Sequence, residues 1–334
     1  MFRYLIRRVL WAAVLFVAVT IVTYIIFFIT PADPAKLVAG RGATEADIER
    51  ARKFIGLDDP VPVQYWHFLS RLMPISFVDG PHLKEPSLGF SFATRQDVND
   101  IVMAAAPVTA SLVFGGAIAW MLVSVPVGIL SALRPRSLFD RAAMTFVLIG
   151  VSAHPVWIGL IFAYFFGYKW GEYTHLPITG YAEAINPSTA EGGPVEWFRH
   201  MILPWATFAM LFSALYVRMI RANVMETMNE DYVRTARAKG APESVVLRSH
   251  ILRNAMLPVV TILGMDIGLA LGGAIFTESV YSLPGLGNMA IRSIENLDLP
   301  VTQGIVVFAT LAVITFNLIV DLLYAVIDPR IRLE

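Results

Sequence analysis

Membrane insertion of this chain is dictated by residues 101–133, which read IVMAAAPVTASLVFGGAIAWMLVSVPVGILSAL and contain no charged side chain. A helix needs about 20 apolar residues to cross ~30 Å of hydrocarbon at 1.5 Å per residue. The stretch exceeds that length, so it predicts a transmembrane helix. The composition agrees, because 56% of the 334 residues are hydrophobic and only 16% are charged. The mean hydropathy of +0.62 is too high for an ordinary soluble domain.

Further apolar runs lie on both sides of this stretch. They cover residues 9–29, 142–168, 201–217, 254–281 and 299–320, the last reaching 327 if Asp321 is included. The first run is long for a signal peptide and lacks a small-x-small cleavage site, so we interpret it as a retained helix. The sequence therefore predicts an all-α polytopic membrane protein with six transmembrane helices.

Basic residues in the short connecting segments indicate the orientation. Fifteen of them fall on one predicted side: Arg3, Arg7, Arg8, Arg134, Arg136, Arg141, Arg218, Arg221, Arg234, Arg237, Lys239, Arg248, Arg253, Arg330 and Arg332. That side is predicted to be the cytoplasm, and six crossings return the C-terminus to it. The total charge is balanced and there is no Cys, so nothing points to nucleic acid, a disulfide or a thiolate metal site.

The predicted organisation has three parts. Residues 1–30 form the cytoplasmic end and the first span, 31–100 form a sizeable outer segment, and 101–334 form a core of five spans. In the outer segment, Thr44 followed by Asp47 is typical of a capping box, and we expect helices over 45–55 and 61–73. We favour a small cap packed on the helix bundle; docking of an outer partner is the alternative.

The longest predicted cytoplasmic connection, residues 226–258, reads ETMNEDYVRTARAKGAPESVVLRSHILRNAMLP. A helix over about 230–239 is expected to end at Gly240, which can adopt a left-handed conformation, and Pro242 favours the start of another helix. The pattern predicts a helix, a sharp turn and a second helix that returns to the membrane. Two interpretations fit equally: a rigid projection for a cytoplasmic partner, or a basic loop on anionic lipid headgroups.

This connection resembles the EAA loop of importer-type ABC permeases. Arg234-Thr235-Ala236 stand at the Glu-Ala-Ala positions, Gly240 stands at the Gly, and the Leu-Pro pair is displaced to Leu257-Pro258. These departures resemble the dipeptide/oligopeptide permease branch. Other stretches resemble that branch too: RYLIRR (3–8), GLDDPVPVQYWHFL (56–69), TESVYSLPGLG (277–287) and VDLLYAVIDPRIR (320–332). With its large outer segment, the chain is most similar to the first permease subunit of such systems.

The resemblance implies a type I permease fold in a bacterial inner membrane. It implies three kinds of partner besides lipid: a homologous second permease, two cytoplasmic ATP-binding-cassette ATPases that use ATP and Mg²⁺, and an extracytoplasmic solute-binding protein. Di- or oligopeptides are the implied substrate, although nickel, glutathione and oligosaccharide importers share this branch. The implied ATPase-coupling residues are Asp231, Tyr232, Arg234, Ala236, Lys239, Gly240 and Ala241, as contacts or turn formers.

Motifs for chemistry are missing from the sequence. A phosphate-binding loop needs Gly-Lys-Ser/Thr, yet no Gly-Lys pair occurs and none of the five Lys residues precedes Ser or Thr. Neither HExxH nor GxSxG occurs, and the six His residues are scattered. We expect no catalytic residue, no metal site and no cofactor bound by this chain. An ion-coupled secondary transporter is the alternative of another class, although the sequence shows no inverted repeat.

Several polar residues fall within the apolar runs. Charges in hydrocarbon cost ~2.5–3.5 kcal/mol on insertion scales, so they should face a cavity or a partner. For Asp266, the sequence does not distinguish a place in a substrate pathway from a place at a subunit interface. For Glu278 and Asp321 we favour an interface charge pair or a place near the headgroups. His154, before Pro155, is expected to be a satisfied buried histidine rather than a ligand.

Gly264, Gly268 and Gly272 recur at four-residue spacing and predict a smooth helix face. That face is expected to pack either within the chain or against the second permease around the pathway.

Overall fold

The computed structural model describes residues 2–29, 34–40, 42–76, 82–184 and 192–327. Among these residues, four helices are long and apolar enough to cross a membrane unaided. They are α1 (Phe2–Tyr24, continued by a π-helical turn Ile25–Ile29), α5 (Val98–Leu133), α9 (Pro194–Met228) and α16 (Leu299–Ile327). The predicted spans at 9–29, 101–133, 201–217 and 299–320 are thereby confirmed.

The predicted span 142–168 is two helices rather than one. Helix α6 (Leu138–Ser152) meets α7 (Pro155–Phe162, continued by a π-helical turn Ala163–Lys169) at 108°. Pro155 has no N–H, so it cannot donate the hydrogen bond that would continue helix α6. Its ring also forces the residue before it into an extended conformation. His154 accordingly has φ −74° and ψ 139°. Six crossings result only if each bent pair of helices counts as one span.

The predicted span 254–281 is wrong at its C-terminal end. Helices α11 (Glu243–Val245) and α12 (Arg253–Ala255) are joined by a π-helical turn Val246–Leu252 and lead at a 42° bend into α13 (Leu257–Ala270), where the helix stops. Gly273 then adopts φ +130°, and a Cβ there would lie 2.7 Å from the Cα of Gly287. Two chain segments cross at these two glycines, so the chain must turn. The segment continues as α14 (Ile275–Val280) and α15 (Leu286–Glu295).

The outer segment contains α2 (Pro34–Ala39), α3 (Glu45–Phe54), α4 (Val61–Leu72) and a two-residue antiparallel pair, β1 (Ile75–Ser76) with β2 (His82–Leu83). Both predicted helices are confirmed to within a residue of their ends. The capping box is present: Asp47 N–H donates to the Thr44 hydroxyl, and Thr44 N–H donates to the Asp47 carboxylate at 3.1 Å. The Thr44 hydroxyl also donates to the Asp47 carboxylate at 2.6 Å, and this bond, followed by the one from Thr44 N–H, holds the pKa of Asp47 below its usual range.

The cap packs on the first span, as we favoured. Phe68 of α4 is buried, and its ring and that of Tyr65 contact Tyr24 of α1 at centroid distances of 5.7 Å. A short helix α8 (Gly171–Thr174) follows the π-helical turn after α7. Helix α10 (Asp231–Ala238) precedes the turn into α11.

The core forms where α5 packs along α9 and α13 packs along α16. Trp120 of α5 is fully buried and stacks on Phe212 of α9, with ring centroids 4.5 Å apart. The face formed by Gly264, Gly268 and Gly272 lies against Val320, Phe316 and Ala309 of α16, respectively. This face is therefore filled by the same chain, and the alternative of contact with a second permease is wrong for it.

Candidate functional site

Residues 231–255, the projection between α9 and α13, contain a Schellman motif at the end of α10. Gly240 has φ +79°, its N–H donates to the carbonyl of Arg237 at 3.0 Å, and Ala241 N–H donates to the carbonyl of Ala236 at 3.2 Å. These two bonds satisfy the last carbonyls of the helix and reverse the chain direction. The sharp turn predicted at Gly240 is confirmed.

Side-chain bonds fasten the two helices of the projection to each other. The Arg237 guanidinium donates to both carboxylate oxygens of Glu243, at 2.7 and 3.2 Å, across the turn. This pairing raises the pKa of Arg237 above its ordinary value. Asn254 Nδ2 donates to the Tyr232 hydroxyl at 2.9 Å. The projection is therefore a braced unit rather than a loose loop.

The projection has a buried face and an exposed face. Val233, Val246 and Ile251 are fully buried in the core. Ala236 and Ala241 are half-buried and pack against the same core. The other predicted coupling residues are exposed: Asp231, with 98% of its side chain accessible, Tyr232, Arg234, Lys239 and Gly240. The seven predicted residues thus come together in one element, with five facing outward and the two alanines facing inward.

Sequence reasoning missed the groups that anchor this projection. Val233, Val246 and Ile251 are apolar positions in a polar stretch, and that contrast could have identified them. The opposite charges of Arg237 and Glu243 on either side of Gly240 could have suggested the brace.

A buried carboxylate lies behind the projection. Asp140, 4% exposed, accepts from Arg221 Nε at 2.7 Å and Nη2 at 2.9 Å, from Arg136 N–H at 2.8 Å, and from the Ser131 hydroxyl. It therefore ties the end of α5 and the start of α6 to α9. No local pattern in the sequence indicates this pairing, because Asp140 and Arg221 lie 81 residues apart in separate predicted loops.

Asp266 lines a cavity of about 590 Å³ bounded by α6, α9, α13 and α14. The Tyr216 hydroxyl, fully buried, donates to Asp266 Oδ2 at 2.7 Å. Asp266 is two residues from both Gly264 and Gly268, about 200° around the helix, so it lies on the face of α13 opposite α16. Among the described lining residues Asp266 is the only charged one.

His154 is exposed, so the expectation of a buried histidine is wrong. Its Nδ1 accepts the N–H of Val156 at 3.3 Å and caps the start of α7. Its ring meets Phe276 edge-on at 4.9 Å. His154 therefore helps to form the break between α6 and α7.

Glu278 is fully buried inside this chain, so the expectation of an interface pair or a headgroup position is wrong. It accepts from the Thr109 hydroxyl at 2.8 Å, from Asn288 N–H at 2.9 Å and from Ala274 N–H at 3.3 Å. No Lys, Arg or His among the described residues forms an ion pair with it.

The side chain of Asp321 and the whole of Arg330 and Arg332 lie outside the described residues. Within the described part of the chain, no group of three or more His, Cys, Asp or Glu could hold a metal ion.

Comparisons with known proteins cover the whole chain. Residues 124–333 match the family described as binding-protein-dependent transport system inner membrane component, and residues 1–113 match its N-terminal family. A probable peptide ABC transporter permease protein of Sinorhizobium fredii is 35% identical, over 98% of this chain and 99% of its own. The probable D,D-dipeptide transport system permease protein DdpB of Escherichia coli is 34% identical, over 98% and 97%.

A solved structure is also similar, that of an amino acid ABC transporter with histidines. It matches with a TM-score of 0.50 at 14% identity, over 67% of this chain and 93% of that chain. At this level of identity, the similarity shows the fold alone.

Proposed function

Because this chain belongs to the inner membrane components of binding-protein-dependent transport systems, we propose that it imports di- or oligopeptides as the permease subunit of an ATP-binding-cassette importer. It is a multi-pass membrane protein with the type I permease fold. The observation that carries the proposal is the braced projection formed by α10 and α11, which exposes polar side chains on an otherwise apolar chain. The names of its relatives support peptides as the substrate.

The proposed machine needs subunits that this chain does not supply. The sequence has no phosphate-binding Gly-Lys-Ser/Thr loop, so ATP and Mg²⁺ would bind to two cytoplasmic ATPase subunits. A homologous second permease would complete the pathway, and an extracytoplasmic solute-binding protein would deliver the peptide. Both termini would lie in the cytoplasm. This chain would carry no catalytic residue and no cofactor of its own.

The projection would convert ATPase movement into opening of the pathway. Asp231, Tyr232, Arg234 and Lys239 are the side chains available to an ATPase groove. Val233 on the opposite face is locked in the core, so a push on the projection is passed to the helices behind it.

The test is ATP hydrolysis and peptide uptake by the complex purified through a tag on this chain, comparing wild type with Gly240→Pro. Proline fixes φ near −65° and removes the N–H, whereas Gly240 has φ +79° and donates that N–H to Arg237. We expect two ATPases and a second permease to co-purify with wild type. Hydrolysis stimulated by peptide-loaded binding protein should fall at least tenfold in the variant, or the ATPases should be lost.

Gly40→Pro is the matched control. Gly40 follows the last residue of α2 in the outer segment, has φ +88° and donates its N–H to Lys36, so it presents the same backbone geometry away from the projection. We expect Gly40→Pro to leave the coupling of hydrolysis to uptake intact.

The uptake assay also tests the substrate. Uptake of nickel, glutathione or an oligosaccharide instead of peptides would show that this other solute is the substrate. A chain that purifies alone and takes up solute on an ion gradient would instead be a secondary transporter.

A further inference from the structure

Asp266 is a carboxylate at membrane depth with one hydrogen-bond donor in this chain. Its Oδ2 accepts from Tyr216, and the structure shows no donor to Oδ1 within the described residues. The described lining of its cavity contains no Lys, Arg or His. Ionisable groups inside a membrane are costly unless they meet a partner or a polar cavity. Asp266 therefore lacks a cationic partner that this chain could provide.

The surface around the cavity indicates where Asp266 faces. Leu269, Phe276 and Leu215 line it and are exposed by 72%, 51% and 50%. A carboxylate in the middle of this surface would be strongly unfavourable against lipid tails. We infer that this face is turned toward the inside of the assembled transporter.

Four helix ends meet at the cavity. Helices α6 and α13 end there, and the C-terminal end of a helix carries partial negative charge. Helices α7 and α14 begin there; the Val156 N–H of α7 donates to His154, and the N–H of Ala274, the residue before α14, donates to Glu278. Broken helices at membrane depth are typical of cavities that bind ions or substrate.

We propose that Asp266 binds the positively charged α-ammonium group of the peptide during its passage, an inference that rests on peptides being the substrate. Tyr216 is a positioning residue, because its buried hydroxyl holds the carboxylate in place. The cavity volume of about 590 Å³ lies within the range of small-molecule sites, and its apolar walls suit peptide side chains.

The test is a double-mutant cycle between protein and ligand. The assembled complex is purified without the solute-binding protein, so that protein's selectivity does not enter. Equilibrium binding is measured for radiolabelled alanyl-alanine and for propanoyl-alanine, which differs only by lacking the ammonium group. We expect wild type to bind alanyl-alanine at least tenfold more tightly than propanoyl-alanine. Asp266→Asn should weaken alanyl-alanine binding about tenfold and leave propanoyl-alanine unchanged.

Two control variants sharpen this cycle. Asp266→Glu should restore most of the preference for the ammonium group. Asp58→Asn removes an exposed carboxylate of the outer segment and should keep the full preference.

Three results would overturn the proposal: an equal loss for both compounds in Asp266→Asn, no binding of either compound by wild type, or loss of the second permease from the Asp266→Asn complex. The last result would assign the cationic partner to the other permease. Wild-type uptake of peptides in the assay above, together with any of these results, would leave the proposed function intact. Absence of peptide uptake by wild type would remove the proposed function itself.

Discussion

The region where α5, α6 and α9 meet surrounds its buried carboxylate with a guanidinium, whereas the segment after α13 surrounds one with neutral donors only. Asp140 receives two bonds from Arg221, and Glu278 receives a hydroxyl and backbone N–H groups. Each carboxylate accepts bonds from its own neighbourhood and from one remote helix, and both join helices. Asp266 has one recorded donor, so the comparison separates carboxylates that build the fold from one that is left open to a ligand.

The largest effect should come from removing the carboxylate of Asp140. Asp140→Ala leaves Arg221 largely buried without its partner, and we expect a loss of about 3 kcal/mol in the free energy of unfolding. Chemical unfolding of the purified chain in detergent measures it. The double variant Asp140→Leu, Arg221→Met removes both charges and should lose less than the single variant. Equal losses would show that the ion pair is not what joins these helices.

Glu278→Gln should have an intermediate effect. Every recorded partner of Glu278 donates to it, which is the pattern of an acceptor-only carboxylate, and an amide would direct an NH₂ group at those donors. We expect a loss of about 2 kcal/mol by the same unfolding measurement. Thr109→Val, which removes the hydroxyl that also accepts from Leu286 N–H, is the companion variant. If Glu278→Gln is as stable as wild type, the group is held as a neutral acid.

The smallest effect should come from Asp47, an exposed carboxylate held by its own capping box and by Arg50 at 3.5 Å. Its pKa in the folded chain is lowered from an ordinary 3.8 by Thr44. The stabilisation is therefore present above the ordinary value and is lost as the pH falls through the lowered one. Hydrogen exchange of α3, compared at each pH with Thr44→Ala, should show a few-fold advantage for wild type at neutral pH that becomes smaller in acid, where only the bond from Asp47 N–H to the Thr44 hydroxyl remains. An advantage of equal size in acid would mean that the charge of Asp47 is not involved.

Local rules predicted much of the fold. The capping box at Thr44, the reversal at Gly240 and the helices α3, α4 and α10 each depend on residues within a few positions of one another, so the sequence contains the information. Hydropathy located the four unbroken spans for the same reason.

Features that depend on distant residues were missed. A hydropathy average cannot detect a 108° bend, so it predicts residues 142–168 as one span. The run to residue 281 was read as one helix because the approach of Gly273 to Gly287 exists only in the folded chain. Asp140 and Arg221 are 81 residues apart, and no local pattern links them. The phase of Asp266 relative to Gly264 and Gly268, by contrast, could have placed it on the open face of α13.

Helix α9 has a mechanical consequence. Its 35 residues run without a break from Pro194 to Met228, immediately before the projection, so it is a rod of ~52 Å. A tilt of about 10° imposed at one end would displace the other by roughly 9 Å over that length. Because Asp140 clamps Arg221 near the end that precedes the projection, α5 and α6 would have to swing with the rod. A rotation imposed on the projection would thereby be carried along α9 as a displacement of its far end.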